Sequence, residues 1–177
     1  MIHSPTPVDE ILDLVDSNDI VVGQKTRSEV YEQELSNFRV INVFVVNDRG
    51  ELWIPRRTAQ KRIFPLHLDV SVGGHVESGE NYEDAFHREV LEEINIDTRI
   101  TPYKLLGKLT PTDGISAFMQ VYEIKKNSAP RYNQEDFIEY FWLKPQALMQ
   151  KIAKGEKVKS DLPKLIQMFY PPQHELA

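Results

Sequence analysis

The chain has 177 residues, 27 acidic against 21 basic side chains and a net charge of −6, which is enough for one sizeable core and argues against two domains. It contains no cysteine, which excludes disulfide, zinc–thiolate and cysteine-nucleophile chemistry and fits a reducing compartment. An acidic chain without a long basic cluster argues against a nucleic-acid backbone as partner and implies that an anionic substrate needs metal or local arginines to approach; the opening MIHSPTPVDE lacks a signal peptide's basic and apolar regions, and no run reaches the ~18 apolar residues of a membrane span, so no membrane partner is expected and the expected location is cytoplasmic.

Residues 10–24, EILDLVDSNDIVVGQ, alternate weakly around Ser17-Asn18-Asp19 and read as a β-hairpin. Thr26 and Glu29 have capping-box spacing, which opens a short helix to about Leu35. A strand over 38–47, a turn at Asp48-Arg49-Gly50 and a strand over 51–57 come next. Then come a polar, basic loop over 58–66 carrying Pro65, and a strand over 68–73. Arg56 and Arg57, with Lys61 and Arg62 behind them, make the one dense basic stretch. A solvated strand end would look the same. The functional alternative is that Arg56 or Arg57 meets a substrate phosphate with the bidentate fork that lysine lacks.

Glycines, acids and helix signals converge in residues 73–96, GGHVESGENYEDAFHREVLEEINI. Asn81 is a good N-cap, Asp84 completes a capping box, and neither glycine nor proline interrupts residues 82–94, so a helix is expected there. Tyr82, Phe86, Val90 and Ile94 line one face of it, with Ala85 alongside. Glu89, Glu92 and Glu93, at i, i+3 and i+4, fall within about 100° of one another and border that face. Like charges so placed repel, more strongly when desolvated, and require a cation; hard carboxylate oxygens suit Mg²⁺ or Mn²⁺. Three glutamates on an ordinary helix are more simply a solvated face, because Glu is a strong helix former. The context favours the metal: Gly73 and Gly74 let the backbone approach a ligand closely, and Arg88 can pair with a neighbouring acid and orient it.

At these residues the chain resembles the Nudix hydrolase family. That motif reads Gly, five residues, Glu, seven residues, Arg-Glu, an aliphatic, any residue, Glu-Glu, any residue, Gly, an aliphatic; here Gly74, Glu80, Arg88, Glu89, Val90, Glu92, Glu93 and Ile96 fill it. Asn95 stands where the family has glycine, and asparagine is second best at a left-handed helix terminus. The resemblance implies that Glu89, Glu92 and Glu93 are metal ligands, that the Gly73 carbonyl adds another, and that Glu80 and Arg88 form a structural ion pair. The lead-in VDSNDIVVGQKTRSEV resembles the Nudix branch that includes isopentenyl-diphosphate isomerases. The implied fold is the α+β Nudix fold, a mixed β-sheet sandwiched between α-helices. It forms one domain, with a hairpin-and-helix extension over 1–36 and a core over 37–177.

Past the motif, 100–110 and 115–125 read as strands around Pro111-Thr112-Asp113-Gly114. In the second, Phe118, Met119, Val121, Tyr122 and Ile124 are expected in the core, with one alternate face exposed. Residues 126–134 form a loop, 137–143 a short aromatic strand, and Pro145 opens a helix to about Ala153. A last helix, from about Asp161 to before Pro171, reads as closing structure with no chemistry in it.

The reaction implied by the resemblance is hydrolysis of a nucleoside diphosphate linked to a group X. Mg²⁺ or Mn²⁺ would bridge the phosphate oxygens and acidify the attacking water. Glu92 and Glu93 are the expected catalytic acids, joined by Glu135 or Asp136 from a distal loop, Glu135 being the first choice. Arg56, Arg57 and His75 are the expected substrate-side groups. The expected partner is a small phosphorylated molecule, and the oligomeric state is left open, a homodimer included. Two rivals stand beside this reading. An isomerase lacks its carriers here, since the isomerases that resemble this chain have a cysteine at the position of Gly73 and histidines near 37–40. A non-catalytic nucleotide-binding module would be marked by loss of an acidic ligand, and all three are present.

Overall fold

The computed structural model describes residues 8–172; residues 1–7 of the expected N-terminal extension, with the start of MIHSPTPVDE, lie outside the described residues, as do 173–177. The chain begins with β1 (Ile11–Val15), β2 (Val21–Thr26) and α1 (Arg27–Glu32), continues through β3 (Arg39–Val46), β4 (Leu52–Arg57) and β5 (Val72–His75), and reaches α2 (Tyr82–Ile94). After these come β6 (Tyr103–Leu109), β7 (Phe118–Lys125), β8 (Phe137–Leu143), α3 (Pro145–Ala153) and α4 (Leu162–Phe169).

The sheet is assembled on β3, whose residues are buried on both faces from Ile41 to Val46. One edge pairs in parallel with β7, and the other pairs antiparallel with β5, giving the order β6-β7-β3-β4-β8 with β5 against β3. The sheet is therefore mixed. Among the described residues β4 pairs with β3 at Val46↔Leu52 alone, and the two strands then part. The segment entering β5 fills the fork. Its early part lies along β4, with the Asp69 amide donating to the Pro55 carbonyl at 3.0 Å, and its later part lies along β3. Ser71 sits at the crossing with no exposed surface: its hydroxyl donates to the Trp53 carbonyl at 2.6 Å and accepts from the Val45 amide at 2.8 Å. One side chain thus satisfies two backbone groups that the diverging strands leave without partners.

Helices cover both faces. α2 lays Ala85, Phe86, Val90 and Ile94 on Ile41, Val43, Val45 and Tyr122. On the other face α3 and α4 place Leu148, Leu162, Leu165 and Ile166 against Phe44, Leu52, Ile54 and Val121. Burying Phe86, Val90 and Ile94 contributes about 1.5–3 kcal/mol each before entropy is charged, whereas like charges on a helix repel by only a few tenths of a kcal/mol per exposed pair. Packing therefore holds α2 in place despite its three neighbouring glutamates.

The β1–β2 hairpin forms its own two-stranded sheet, seated with α1 over Leu12, Val30, Phe38 and Ala117. It also clamps the loop ahead of α2. Asp13 accepts from the Ser78 hydroxyl at 2.8 Å and the Gly79 amide at 3.3 Å, while Asp19 accepts from Arg39 Nε at 2.7 Å and the Tyr82 hydroxyl at 2.8 Å.

Two expectations are corrected. The strand expected over 68–73 begins at Val72 and runs through the double glycine to His75, because residues 68–71 are spent crossing from β4 to β3. β7 has no exposed alternate face: it lies between β3 and β6, and even Glu123 is buried there, receiving the Tyr170 hydroxyl at 2.6 Å. Between β6 and β7 the expected turn is a single 3₁₀ turn over Pro111–Asp113, closed by Gly114 in a left-handed conformation.

Candidate active site

A cleft of about 720 Å³ runs along β5 and the flank of α2 and is closed by α1, the 58–66 loop and the start of α4. One wall is acidic. The helix that carries it starts at Asn81, whose side-chain oxygen accepts from the Asp84 amide at 2.8 Å, and ends at Asn95 with φ 55°. Asparagine thus adopts the left-handed terminus that the motif normally gives to glycine. It does further work there, donating from its amide to the Arg131 carbonyl at 2.6 Å, which ties the 126–134 loop to the end of α2.

Arg88 organises the acids around it. Its Nε and Nη2 meet the two oxygens of Glu80 at 2.7 and 2.8 Å, Nη2 also reaches the His75 carbonyl at 3.1 Å, and Nη1 donates to Glu89 at 2.8 Å. Burial opposes ionisation of Glu80, yet the Arg88 fork and the Glu77 amide hold its carboxyl below the usual range. Gly74 supplies the space: a Cβ there would lie 2.2 Å from the Glu89 carboxyl carbon. The Glu89 side chain keeps only 12% of its exposure. Burial pushes its carboxyl up to about 7, with Glu92 and Glu10 adding to the rise and Arg88 opposing it.

Glu93 is in a different position. Its Oε2 is buried and has no hydrogen-bond partner. Burial first, then the charges of Glu89, Asp136 and Asp69, push this carboxyl well above the ordinary range, with Lys61 offsetting part of it. A buried carboxylate oxygen without a partner is rare in a finished structure and marks a place where a cation or proton belongs. Glu92 is more open, 59% exposed and 3.6 Å from Arg88. Among the described residues no three Asp, Glu or His side chains converge at ligating distance, so the three glutamates share a wall without being gathered to a point. Their chemistry still fits a hard divalent cation, because Glu93 has an unspent oxygen and Glu89 stands beside it under mutual repulsion.

The opposite wall corrects several expectations. Arg56 lies outside the cleft, bound to Glu139, to Glu156 at 2.8 Å and to the Leu66 carbonyl. Arg57 lines the cleft, but its fork is committed to Asp69 at 2.7 Å and to the carbonyls of Ile63 and Phe64. It clamps a loop in which Phe64 and Leu66 hold φ of 51° and 61°, conformations that side-chain-bearing residues seldom adopt without such restraint. Glu135 is exposed and does not line the cleft, whereas Asp136 does, paired with Lys61. The loop carrying Asp136 is fixed to the motif helix by the Asn133 amide donating to the Glu93 carbonyl at 2.8 Å. Gly73 lines the cleft opposite Asn42 in the β3–β5 ladder. His75 is there as expected, but its ring nitrogens are engaged by the Tyr31 hydroxyl at 2.8 Å and Glu10 at 3.3 Å. The residues that sequence reasoning missed come from the ends of the chain: Glu10, Arg27 and Tyr31 from the extension, Lys159 and Asp161 from the approach to α4.

The NUDIX domain family matches residues 36–165. The chain belongs to the Nudix family. It is 64% identical over 162 residues to an uncharacterised Nudix hydrolase of Nostoc sp. (strain PCC 7120), an alignment that covers 91% of this chain and 96% of that one. A protein of Deinococcus radiodurans with a crystal structure is similar in sequence and shape, at 43% identity and a TM-score of 0.86 over 91% of this chain and 99% of that one. Weaker similarity, 23% over 144 residues and 78% of each chain, links it to an isopentenyl-diphosphate Delta-isomerase of Paenarthrobacter aurescens, the branch to which the lead-in also points. The Nudix fold and Nudix-type pyrophosphohydrolase activity on small phosphorylated molecules follow from this membership. Among the described residues of this Nudix chain, no helix is long and apolar enough to cross a membrane.

Proposed function

We propose that this Nudix hydrolase cleaves the diphosphate linkage of a nucleoside-diphosphate-type substrate with Mg²⁺ or Mn²⁺ held by the α2 glutamates. The observation that carries this reading is the buried, partnerless Glu93 Oε2 at a cleft whose acidic wall is braced by Arg88. Glu89, Glu92 and Glu93 would hold the ion, with the Gly73 carbonyl as a further ligand. When bound it supplies charge neutralisation for the diphosphate and an acidified water. Arg88 fixes the Glu89 carboxylate and keeps Glu80 and residues 74–79 in register, so that ordering is complete before substrate arrives. Asp136 replaces Glu135 as the distal acid, able to take a proton from water at the cleft. The opening of about 720 Å³ is of the size that takes a nucleotide-sized molecule. The clamp that the hairpin places on residues 78–82 supports treating the extension and core as one domain, and the absence of cysteine supports a cytoplasmic setting.

The test is hydrolysis of nucleoside diphosphates, dinucleoside polyphosphates, sugar nucleotides and prenyl diphosphates, read by chromatography of the phosphorylated products, each with Mg²⁺, Mn²⁺ or EDTA. Turnover of a nucleotide substrate that EDTA abolishes and Mg²⁺ restores is the expected outcome. Full turnover in EDTA, or turnover confined to prenyl diphosphates, would refute it.

A further inference from the structure

Six cations line the cleft, and their partners separate them. Arg57 is bound to Asp69, Lys61 to Asp136, and Arg88 to Glu80 and Glu89, whereas Arg27, 4.0 Å from Glu10, lies over the Tyr31 ring. Arg62 is exposed on the 58–66 loop. Lys159 combines a fixed backbone with an uncommitted head. Its amide donates to the Leu68 carbonyl at 2.9 Å, the Leu68 amide donates to the Lys157 carbonyl at 3.0 Å, and its own carbonyl accepts from Leu162 at the first turn of α4. The backbone on either side is therefore held as firmly as a strand residue. The ammonium lies 3.7 Å from Asp69 Oδ1, beyond hydrogen-bond reach, and among the described residues it has no hydrogen-bond partner.

Asp69 does not need it. That buried carboxylate already receives Arg57 Nη1 at 2.7 Å on one oxygen and the Val70 amide at 2.7 Å on the other. Lys159 stays over β5 because Gly73 has no side chain: a Cβ there would stand 3.3 Å from Nζ and 3.0 Å from Asn42 Oδ1. The glycine clears a path along which a half-buried ammonium, its side chain 29% exposed, reaches the cleft beside the motif. Three N–H donors are thus presented in the cleft, next to the strand that opens the acidic wall.

We propose that Lys159 contacts a phosphate oxygen of the diphosphate substrate, with buried Asp69 as the positioning residue that keeps its ammonium over Gly73. This deepens the hydrolase reading and rests on it. Arg57 then serves as the strut of the loop, and the phosphate contact comes from a segment about a hundred residues further along the chain.

The experiment pairs steady-state kinetics with binding of inorganic pyrophosphate in Mg²⁺, measured by calorimetry on the full chain. Lys159→Met keeps the apolar stem and removes the charge. It should raise KM and the pyrophosphate Kd by at least ~10-fold, while Lys159→Arg stays within a few-fold of wild type. The melting temperature without ligand should hold for both. Unchanged pyrophosphate affinity in Lys159→Met overturns the assignment. So does a fall in melting temperature that Asp69→Asn rescues while affinity stays at the wild-type level, because Lys159 would then only balance Asp69. If Lys159→Met does not fold, Lys159→Gln is measured in its place by the same criteria. Lys159-dependent pyrophosphate binding by a wild type that hydrolyses nothing would keep the site and remove the hydrolase reading. A wild type that binds no pyrophosphate overturns the phosphate contact itself.

Discussion

Replacing Gly74 by alanine adds one methyl group at the point where β5 and α2 meet. The new Cβ would lie 2.2 Å from Glu89 Cδ, 2.3 Å from Oε1 and 2.6 Å from Cγ, so the carboxylate must retreat by more than about 1 Å to regain ordinary contact distance. The strand cannot yield instead, being paired to β3 at Ile41↔Gly74 and packed through Val72 against the core under α2. The retreat breaks the 2.8 Å bond from Arg88 to Glu89, and a charge-assisted bond of this kind is worth about 1.5–3 kcal/mol. Part returns because Glu89 moves toward water, leaving a net loss of about 1–2 kcal/mol, or roughly 2–8 °C in melting temperature for a chain of this size. Catalysis is more sensitive to placement, and displacing a group by 1 Å costs on the order of 10²-fold. Gly74→Ala should therefore fold, melt slightly early, and lose on the order of 10²-fold in kcat at saturating Mg²⁺. Gly23→Ala, at a glycine with open space around it, is the control. A Gly74→Ala enzyme with wild-type kcat would show that the position of Glu89 does not matter and would refute the reasoning.

Glu93→Gln keeps the shape of a side chain whose carboxyl is destabilised by burial and by three neighbouring acids; its melting temperature in EDTA should hold or rise while turnover falls at least ~10²-fold, and a variant that unfolds would show the residue to be structural. Arg88→Lys loses the bidentate grip on Glu80, so kcat should drop with little change in KM, whereas a large rise in KM at constant kcat would make Arg88 a substrate contact. Ser71→Ala strands the Val45 amide and the Trp53 carbonyl in the core; at about 1–3 kcal/mol for each orphaned group the expected loss is roughly 2–6 kcal/mol, and denaturant unfolding that shows less than about 1 kcal/mol would mean water or backbone movement replaces the hydroxyl.

Local signals in the sequence were strong wherever the chain could decide without its distant parts. The Asn81 cap, the uninterrupted helix to Ile94 and the Arg88–Glu80 pair all appear as expected, because cap, period and reach are set within about a dozen residues. The double glycine misled because a glycine pair reads as the end of a strand. Here Gly74 continues β5, since the space its side chain would fill belongs to Glu89. Choosing between Arg56 and Arg57 was beyond alternation, because alternation puts the two on opposite faces of β4, Arg57 on the side of Trp53 and Arg56 on that of Ile54, and only distant elements decide which face carries the cleft. What sets Asp136 apart from Glu135 is its place beside Lys61 in a loop pinned through Asn133 to the end of α2. Lys159 carries no local mark at all, and its place depends on pairing with Leu68, some ninety residues earlier.

The clamp of the hairpin on the loop before α2 also bears on the order of assembly. Its bonds join residues far apart in sequence, 65 for Asp13 to Ser78 and 63 for Asp19 to Tyr82, whereas Arg88 and Glu80 are 8 apart. Closing the short loop loses less chain entropy, so the brace inside the motif can form early, while the clamp waits until the sheet has brought its two ends near. Mutations at Asp13 should then speed unfolding and leave the folding rate nearly untouched, with φ-values near zero. The hairpin, made before the motif, reaches its place after it, and the site becomes rigid only when it arrives.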